Sequence, residues 1–427
     1  MAIFDTNSKI RKWRYSVADI QLLIPGEENV PIPTERMGNM SIVEDYETLY
    51  FPMFKIELIL ESDIYYKILE HKTDCQIHLR IDRFYQGIDN PEKSVPRKYI
   101  NDNFDLILDE DTDDMQFSLK REENKADYTK TKKDDLNVLE KIDTPVSFYL
   151  FKSSTIDGTK KNINKVIPDC NLVDVYAWMA TTGKIKNILM AQPDNNKIYD
   201  QIVIPRMSIL KAFEFLDVYY GLYKTGSMIY FGLRYNYIIP YSGDCKAYID
   251  GETTDINIVI PKGDNLAHAS NLGELYTKDD DLKHYIIGDF KTIDIRNDSI
   301  SSNYLMGNDI ETVDSYSGEI TTESANSKVK SSSVIKAFEN KTENNMISST
   351  YTAHTGARSK VINVMIQDYN IMDIAPNKQY TFLFEDTKLL KKHKGKYILC
   401  NATHSFVKEG TDFILSTILT FKLSNKK

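Results

Sequence analysis

The end of the chain constrains the fold most. KQYTFLF (378–384), KYILCNATHSF (396–406) and TDFILSTILTFKL (411–423) are the cleanest β signal in the sequence. Period-two alternation turns one side of a strand toward a core and the other toward water. In the last segment Phe413, Leu415, Leu419 and Phe421 share one face with Thr417. The KHKG and KEGT stretches between the three segments are turn-like. The reading is a meander that completes a β domain opened earlier, near residues 100–152.

The beginning of the chain carries a second β signal. WRYSVADIQLLI (13–24) reads as a first strand region, broken by Pro25-Gly26 and the Pro31/Pro33 pair. In FPMFKIELIL (51–60), Phe54, Ile56, Leu58 and Leu60 share one face, and Lys55 and Glu57 take the other. Ser62 caps a short helix, Asp63 to Glu70. CQIHLRIDRFY (75–85) puts Ile77, Leu79 and Ile81 inward and Gln76, His78, Arg80 and Asp82 outward. Strand, short helix and strand with one wet face form a small antiparallel sheet or barrel unit.

Between these β regions the pattern changes. Charge dominates 90–143, with Asp102, Asp105, Asp109, Glu110, Asp111, Asp113 and Asp114 close together. Strands emerge near 104–108, 115–119 and 146–152. Asn171 caps a helix through Leu172, Val175, Tyr176 and Met179 that Gly183 ends. After a short apolar run closed by Pro205, Ser208 caps a second helix, with Ile209, Phe213, Leu216 and Tyr220 as its stripe. Ala212 and Tyr219 widen that stripe almost all round, as in a helix clamped between other elements. Gly221 sits where a left-handed C-terminal cap is usual, and Met228–Phe231 is an aromatic strand. Residues 256–261 and 285–290 are short strands or tethers. The stretch 297–350 is rich in Ser, Asn and Thr, an excursion expected to be mobile.

The fold class expected is α+β, mainly β, with two tube-like antiparallel barrels. The domains are 1–95, a first barrel; 96–165, the first part of a second barrel with its acidic loop; 166–296, a helix-containing insert. They continue with 297–355, the polar excursion, and 356–427, the meander completing the second barrel. At 427 residues the chain is long enough for two to four domains. Its 27 tyrosines against two tryptophans suggest half-buried β surface or interface.

Chemistry is harder to find. Asp109, Asp111 and Asp113 match the start of a calcium loop, but Asp114 stands where glycine is needed and Lys120 where a bidentate glutamate is needed. Cys75/His78 and Cys400/His404 lie on expected strands. Residues three apart on a strand point to opposite faces, and four apart stand roughly 13 Å from each other, so neither pair chelates one ion. TTGK at 181–184 lacks the earlier glycine and the following hydroxyl of a phosphate loop. Neither HExxH nor GxSxG occurs. Tyr219, Tyr220 and Tyr223 could stack on sugars or bases, although their spacing favours core packing. Acid pairs for sugar hydrolysis leave no sequence signature. No catalytic, cofactor-binding or metal residue is assigned, and no cofactor is expected. The four cysteines are widely separated and read as reduced buried thiols. The start, MAIFDTNSKIRKW, has no apolar leader, and no run approaches the length of a membrane span. A formal charge of −9 argues against gripping nucleic acid and is compatible with a wall that DNA passes without sticking.

Two stretches together resemble a known family. They are IPRMSILKAFEFLDVYYGLYKTGSMIYFG and IAPNKQYTFLF…KGKYILCNATHSFVKEGTDFILSTILTFKL. They are similar to the closing part of hub proteins of phage baseplates and related contractile injection machines. Tyr397, His404 and the Phe413–Phe421 strand occupy the places of that pattern, and 46–85 resembles the first barrel of such hubs. The acidic 101–143 segment and the 297–350 excursion depart from it. The resemblance implies a structural virion protein of the tail or baseplate, assembled in the host cytoplasm, and a homotrimer. Three chains would offer six barrels in a ring, joining a sixfold tail tube protein to a threefold central spike protein. Tape-measure and baseplate wedge proteins would be further neighbours, DNA only passing cargo, and stable membrane insertion absent. His404 would be a structural hydrogen-bonding residue. A tail-associated cell-wall hydrolase and a receptor- or glycan-binding tail protein stand as alternatives.

Overall fold

Alternation decides the first half of the fold. The computed structural model describes residues 9–71, 74–87, 92–109, 143–223, 227–240, 255–260, 273–276, 283–293, 308–313, 320–323, 333–336, 361–384 and 386–423. The chain opens with β1 (Lys9–Leu23), β2 (Val30–Pro31), β3 (Met37–Asp45) and β4 (Met53–Glu61). Helix α1 (Ser62–His71), β5 (Gln76–Gly87), β6 (Arg97–Leu108) and β7 (Asp143–Lys152) follow. In β4, Phe54, Ile56, Leu58 and Leu60 are all buried, as the alternation requires. In β5, Ile77, Leu79 and Ile81 are buried too, but so is Asp82, which was expected outward. The β5–β6 register shifts between Ile81 and Asp82. The extra residue, Tyr99, is on β6, so β5 keeps its alternation and Asp82 is buried on the outward face beside Arg80. Arg80 then meets the Asp82 carboxylate through two nitrogens, at 3.1 and 2.9 Å.

An insert follows: α2 (Ser153–Lys160), β8 (Asn162–Cys170), α3 (Leu172–Gly183), β9 (Ile188–Met190), β10 (Tyr199–Ser208), α4 (Ile209–Tyr219), β11 (Ser227–Phe231) and β12 (Asn236–Pro240). Its five strands hold about as many residues as its three helices, more strand than a helix-dominated reading expects. Strands β8 and β10 form a two-stranded ribbon, and β11, β12 and β9 a three-stranded sheet. Asn171 caps α3 in a reciprocal box with Asp174, and the Ser208 hydroxyl accepts from the Lys211 N–H to cap α4. Gly221, at φ 64°, gives the expected left-handed stop. Two local readings change. Pro205 does not close its strand; β10 runs through it by way of a register shift between Ile204 and Met207. Tyr219 is 51% exposed, so α4 has an outer side. Helix α3 does end at Gly183, and the left-handed cap that follows it is Lys184, at φ 55°.

Gly183 also serves packing. A Cβ on Gly158 would lie 2.3 Å from the Gly183 carbonyl oxygen, and one on Gly183 would lie 3.0 Å from the Gly158 oxygen. Helices α2 and α3 cross backbone against backbone here. Gly158→Ala is expected to cost ~2 kcal/mol, because the obstacle is main chain and the helices must part. A lowered urea midpoint checks this.

The remainder returns to strands: β13 (Asp255–Ile260), β14 (Gly273–Tyr276), β15 (Lys283–Ile293), β16 (Asn308–Val313), β17 (Ile320–Glu323), β18 (Ser333–Lys336), β19 (Val361–Gln367) and β20 (Gln379–Phe384). After helix α5 (Thr387–Lys392) come β21 (Lys396–Glu409) and β22 (Asp412–Leu423). Strands β17, β16 and β18 pair into a small sheet inside the polar stretch expected to be a mobile excursion. The rest of that stretch, and the expected 115–119 strand, lie outside the described residues.

The fold is mainly β, and the ladders close. Going round, β22, β1, β5, β6, β7, β4, β3 and β21 each pair with the next, all antiparallel, and β21 pairs back to β22. This is an eight-stranded antiparallel barrel. Closure leaves its strands with no free edge. A second circuit runs β21, β22, β19, β15, β13, β20 and back to β21, with β13 parallel to both of its neighbours.

One expectation is overturned. Strands β6 and β7 were placed in the second barrel, but they pair with β5 and β4 and belong to the first. The terminal hairpin does not complete one domain alone; it is a wall of both circuits.

Candidate functional site: the shared hairpin

Strands β21 and β22 can serve two circuits because they are long, at 14 and 12 residues. The start of β21 pairs with β20 through Tyr397 and Lys396, and its later part, Asn401–Phe406, pairs with β3. The register slips between Leu399 and Asn401, where the strand passes from one circuit to the other. In β22, Phe413 meets Tyr15 of β1, while Ser416–Lys422 line up with β19. The two-residue turn uses Gly410 at φ 66°, which a primed hairpin turn needs at its first central position.

A buried polar network sits at the crossing. His404 Nδ1 lies 2.7 Å from the Tyr369 hydroxyl and 3.0 Å from the Thr417 hydroxyl. Its Nε2 lies 3.2 Å from the Glu44 carboxylate. With Nε2–H donating to Glu44, Nδ1 is left to accept from a hydroxyl. Glu44 also accepts from the Tyr46 hydroxyl at 2.6 Å. The Tyr15 hydroxyl donates to the Tyr369 carbonyl and accepts from the Ile371 N–H. Four elements are thereby tied: β1, β3, the hairpin, and the segment after β19. Burial pushes the Tyr369, Tyr46, Tyr99 and Tyr230 hydroxyls well above the ordinary tyrosine range, and the Glu44 charge adds to it. These tyrosines stay protonated, and two of them bond within the network: Tyr46 to Glu44, and Tyr369 to His404 and Thr417. Beside them lies a cavity of about 40 Å³, lined by Glu44, Tyr46, Tyr99, Arg234, Tyr237 and Asn377 among others. That is room for two or three waters.

Ion pairs tie the hairpin to the first part of the chain. Lys422 pairs with Glu47, and Lys93 with Asp412. Arg14 pairs with Asp368, whose carboxyl burial pushes upward against the pull of that guanidinium. Lys408 Nζ donates to the carbonyls of Thr34, Glu35 and Met37 at 3.1, 3.3 and 3.1 Å. The outer wall is less polar. Ile418, Thr403, Val43 and Met53 stand in one cross-strand row over β22, β21, β3 and β4, and Ile418 and Met53 are exposed.

The residues weighed from sequence fall apart spatially or into structure. His404 is the hydrogen-bonding residue expected. Cys75 and Cys400 are buried, and His78 bonds to Asn103 at 2.7 Å. Asp109 pairs with Lys55 at 2.7 Å; the rest of the calcium-like stretch lies outside the described residues. Among the described residues no group of three His, Cys, Asp or Glu side chains is placed to hold a metal ion. No described helix is long and apolar enough to cross a membrane. Tyr223 is buried and donates to the carbonyls of Ala191 or Ile238 rather than offering a stacking face. Sequence reasoning missed Glu44, Tyr15 and Tyr369. A signal existed for Glu44: it shares the parity of buried Met40 and Ile42 in β3.

A hairpin common to two strand circuits, with hydrogen bonds at its crossing, defines a barrel-built scaffold. The particular family follows from sequence: the family model described as Bacteriophage PBS1 gene 109 protein matches residues 6–424, and the chain belongs to that family. No curated protein matches. Among solved structures, the chain is similar to a tail protein from Neisseria meningitidis MC58, at 9% identity and TM-score 0.44, over 96% of each chain. It is similar to the 43 kDa tail protein of prophage MuSo2 from Shewanella oneidensis, at 10% identity and TM-score 0.47, over 94% of this chain and 96% of that one. It is also similar to the E. coli c3393 protein, described as a component of the type VI secretion system, at 6% identity and TM-score 0.42, over 95% of this chain and 77% of that one.

Proposed function

We propose that this chain is a structural hub of a phage tail, acting as a homotrimer that joins a sixfold tail tube to a threefold central spike. The observation that carries the reading is the doubled circuit within one polypeptide: β21 and β22 serve two closed ladders. Two barrel-like walls per chain let three copies imitate a ring of six. A heterologous cyclic contact closes when its rotation is 120°. The exposed Ile418–Met53 row offers apolar surface for such a contact, and the formal charge of −9 suits a lumen that passes DNA without holding it. Tube and spike proteins are the partners of this reading, with tape-measure and wedge proteins as neighbours. The role is mechanical, and the buried tyrosines and His404 contribute rigidity rather than chemistry.

Light scattering on the purified chain is expected to give three times the monomer mass, and antibody labelling to mark the tail tip of intact particles. A strictly monomeric chain that is absent from purified tails would sink the reading.

A further inference from the structure

Five lysines meet at one corner of the insert. Lys160 ends α2 and Lys161 caps it, Lys184 caps α3, Lys186 follows, and Lys211 is in the first turn of α4. All five are exposed. Hydrogen bonds hold the three helix ends together. The Lys161 carbonyl accepts from the Ile209 N–H at 2.9 Å, and the Lys161 ammonium donates to the Thr182 carbonyl at 2.9 Å. Among the described residues none of the five is in an ion pair, and Asp157 of α2 and Glu214 of α4 pair with none of them. The dipoles of α2 and α3 give Lys160, Lys161 and Lys184 a local reason, since a cation suits a helix C-terminus. Lys211 has no such reason. It is the third residue after the Ser208 cap, whose hydroxyl accepts from its N–H at 3.3 Å. A glutamate there would complete a capping box, and a cation faces the positive end of the dipole. A residue kept against its local preference points to a role beyond its own helix.

The opposite charge collects far away. Glu27 pairs with Lys67 at 2.9 Å, the charges of Asp63 and Glu70 fall on the same ammonium, and Glu28 is exposed next to Glu27. Strand β7 begins at Asp143, opposite Glu61 where α1 follows, and ends at Lys152 where α2 follows. Those nine steps of strand span roughly 30 Å, so the two patches do not neutralise each other within one chain. We infer that the lysine corner of one copy docks on the Glu27–Glu70 patch of the next copy. The contact rests on the trimeric reading and names the surfaces through which its copies meet. Unlike patches make a heterologous contact, which closes into a ring where the rotation allows. Facing charges of opposite sign fix partner and orientation. Each copy is net −9, but salt at physiological strength confines a surface charge to about 8 Å, so the patches that touch decide the sign.

The test is the solution mass of the full chain, by light scattering over a dilution series at physiological salt. Lys186→Glu combined with Lys211→Glu is expected to weaken association about tenfold or more. Its urea midpoint is expected to match or exceed that of the wild type, because Lys211→Glu completes the capping box. Glu28→Lys combined with Glu70→Lys is expected to weaken association as much, and all four changes together to restore most of it. Lys388→Glu combined with Lys391→Glu, at exposed positions of α5, makes the same change in net charge as the lysine-corner variant and is expected to leave the mass unchanged. A trimer that neither patch reversal weakens would overturn this contact and leave the trimeric reading standing. A monomeric wild type would overturn both. Losses that the fourfold variant does not recover, or an equal loss in the α5 variant, would reduce the effect to general charge and overturn the contact.

Discussion

Phe421→Ala is expected to destabilise the protein by ~3–5 kcal/mol, the usual cost of emptying a fully buried aromatic position. Phe421 is fully buried on β22, and its ring packs 4.7 Å from Tyr380 and 5.4 Å from Phe382, measured between centroids. It is the register partner of Ile362 on one side and Leu399 on the other. The lesion lies wholly in the second circuit. Its effect should nevertheless reach the first, because the same strand carries Phe413 against Tyr15. The two tryptophans make this measurable. Trp13 is on β1 in the first barrel, and Trp178 is on α3 in the insert. In a Trp178→Phe background, urea unfolding followed by Trp13 fluorescence should shift to lower urea when Phe421 is truncated. Circular dichroism should shift with it, as one cooperative unit requires. If Trp13 reports an unchanged midpoint while dichroism moves, the circuits unfold separately and the hairpin does not couple them.

What the sequence revealed was local. Alternation placed Phe54, Ile56, Leu58 and Leu60 inside, and it placed Phe413, Leu415, Thr417, Leu419 and Phe421 on one buried face. Caps placed the starts of α3 at Asn171 and α4 at Ser208. These signals need only neighbours a few residues away. What it hid was pairing at long range. Nothing near residue 404 announces that His404 meets Glu44, 360 positions earlier in the chain. Nothing within β6 or β7 says that their partners are β5 and β4 rather than the terminal meander, and the charged stretch between them suggested a boundary where the ladder is continuous. Bulges were silent as well. The β5–β6 slip comes from one extra residue on β6, Tyr99, and Asp82 keeps the outward parity of β5 yet is buried there, which alternation alone does not foresee.

The crossing network supports the second large expectation. His404→Leu keeps similar bulk but strips three polar neighbours of a partner, and it is expected to cost about 3 kcal/mol. Glu44 keeps the Tyr46 hydroxyl, and Tyr369 keeps Thr417, so the loss is partial at each neighbour. Most of it should fall on the Glu44 side, where a carboxylate beside the junction loses its imidazole donor. A double-mutant cycle separates the contributions. Glu44→Leu alone removes the acceptor and leaves the imidazole with only hydroxyl partners. Glu44→Leu combined with His404→Leu removes both members of the pair together, and such replacement costs less than breaking the pair from one side. The double variant is therefore expected to be more stable than the sum of the two losses predicts, by about 1 kcal/mol or more in urea unfolding. Additivity within ~0.5 kcal/mol would mean that His404 and Glu44 do not act as a unit. The weight would then shift to the hydroxyl side, where Tyr369→Phe should reproduce most of the His404→Leu effect.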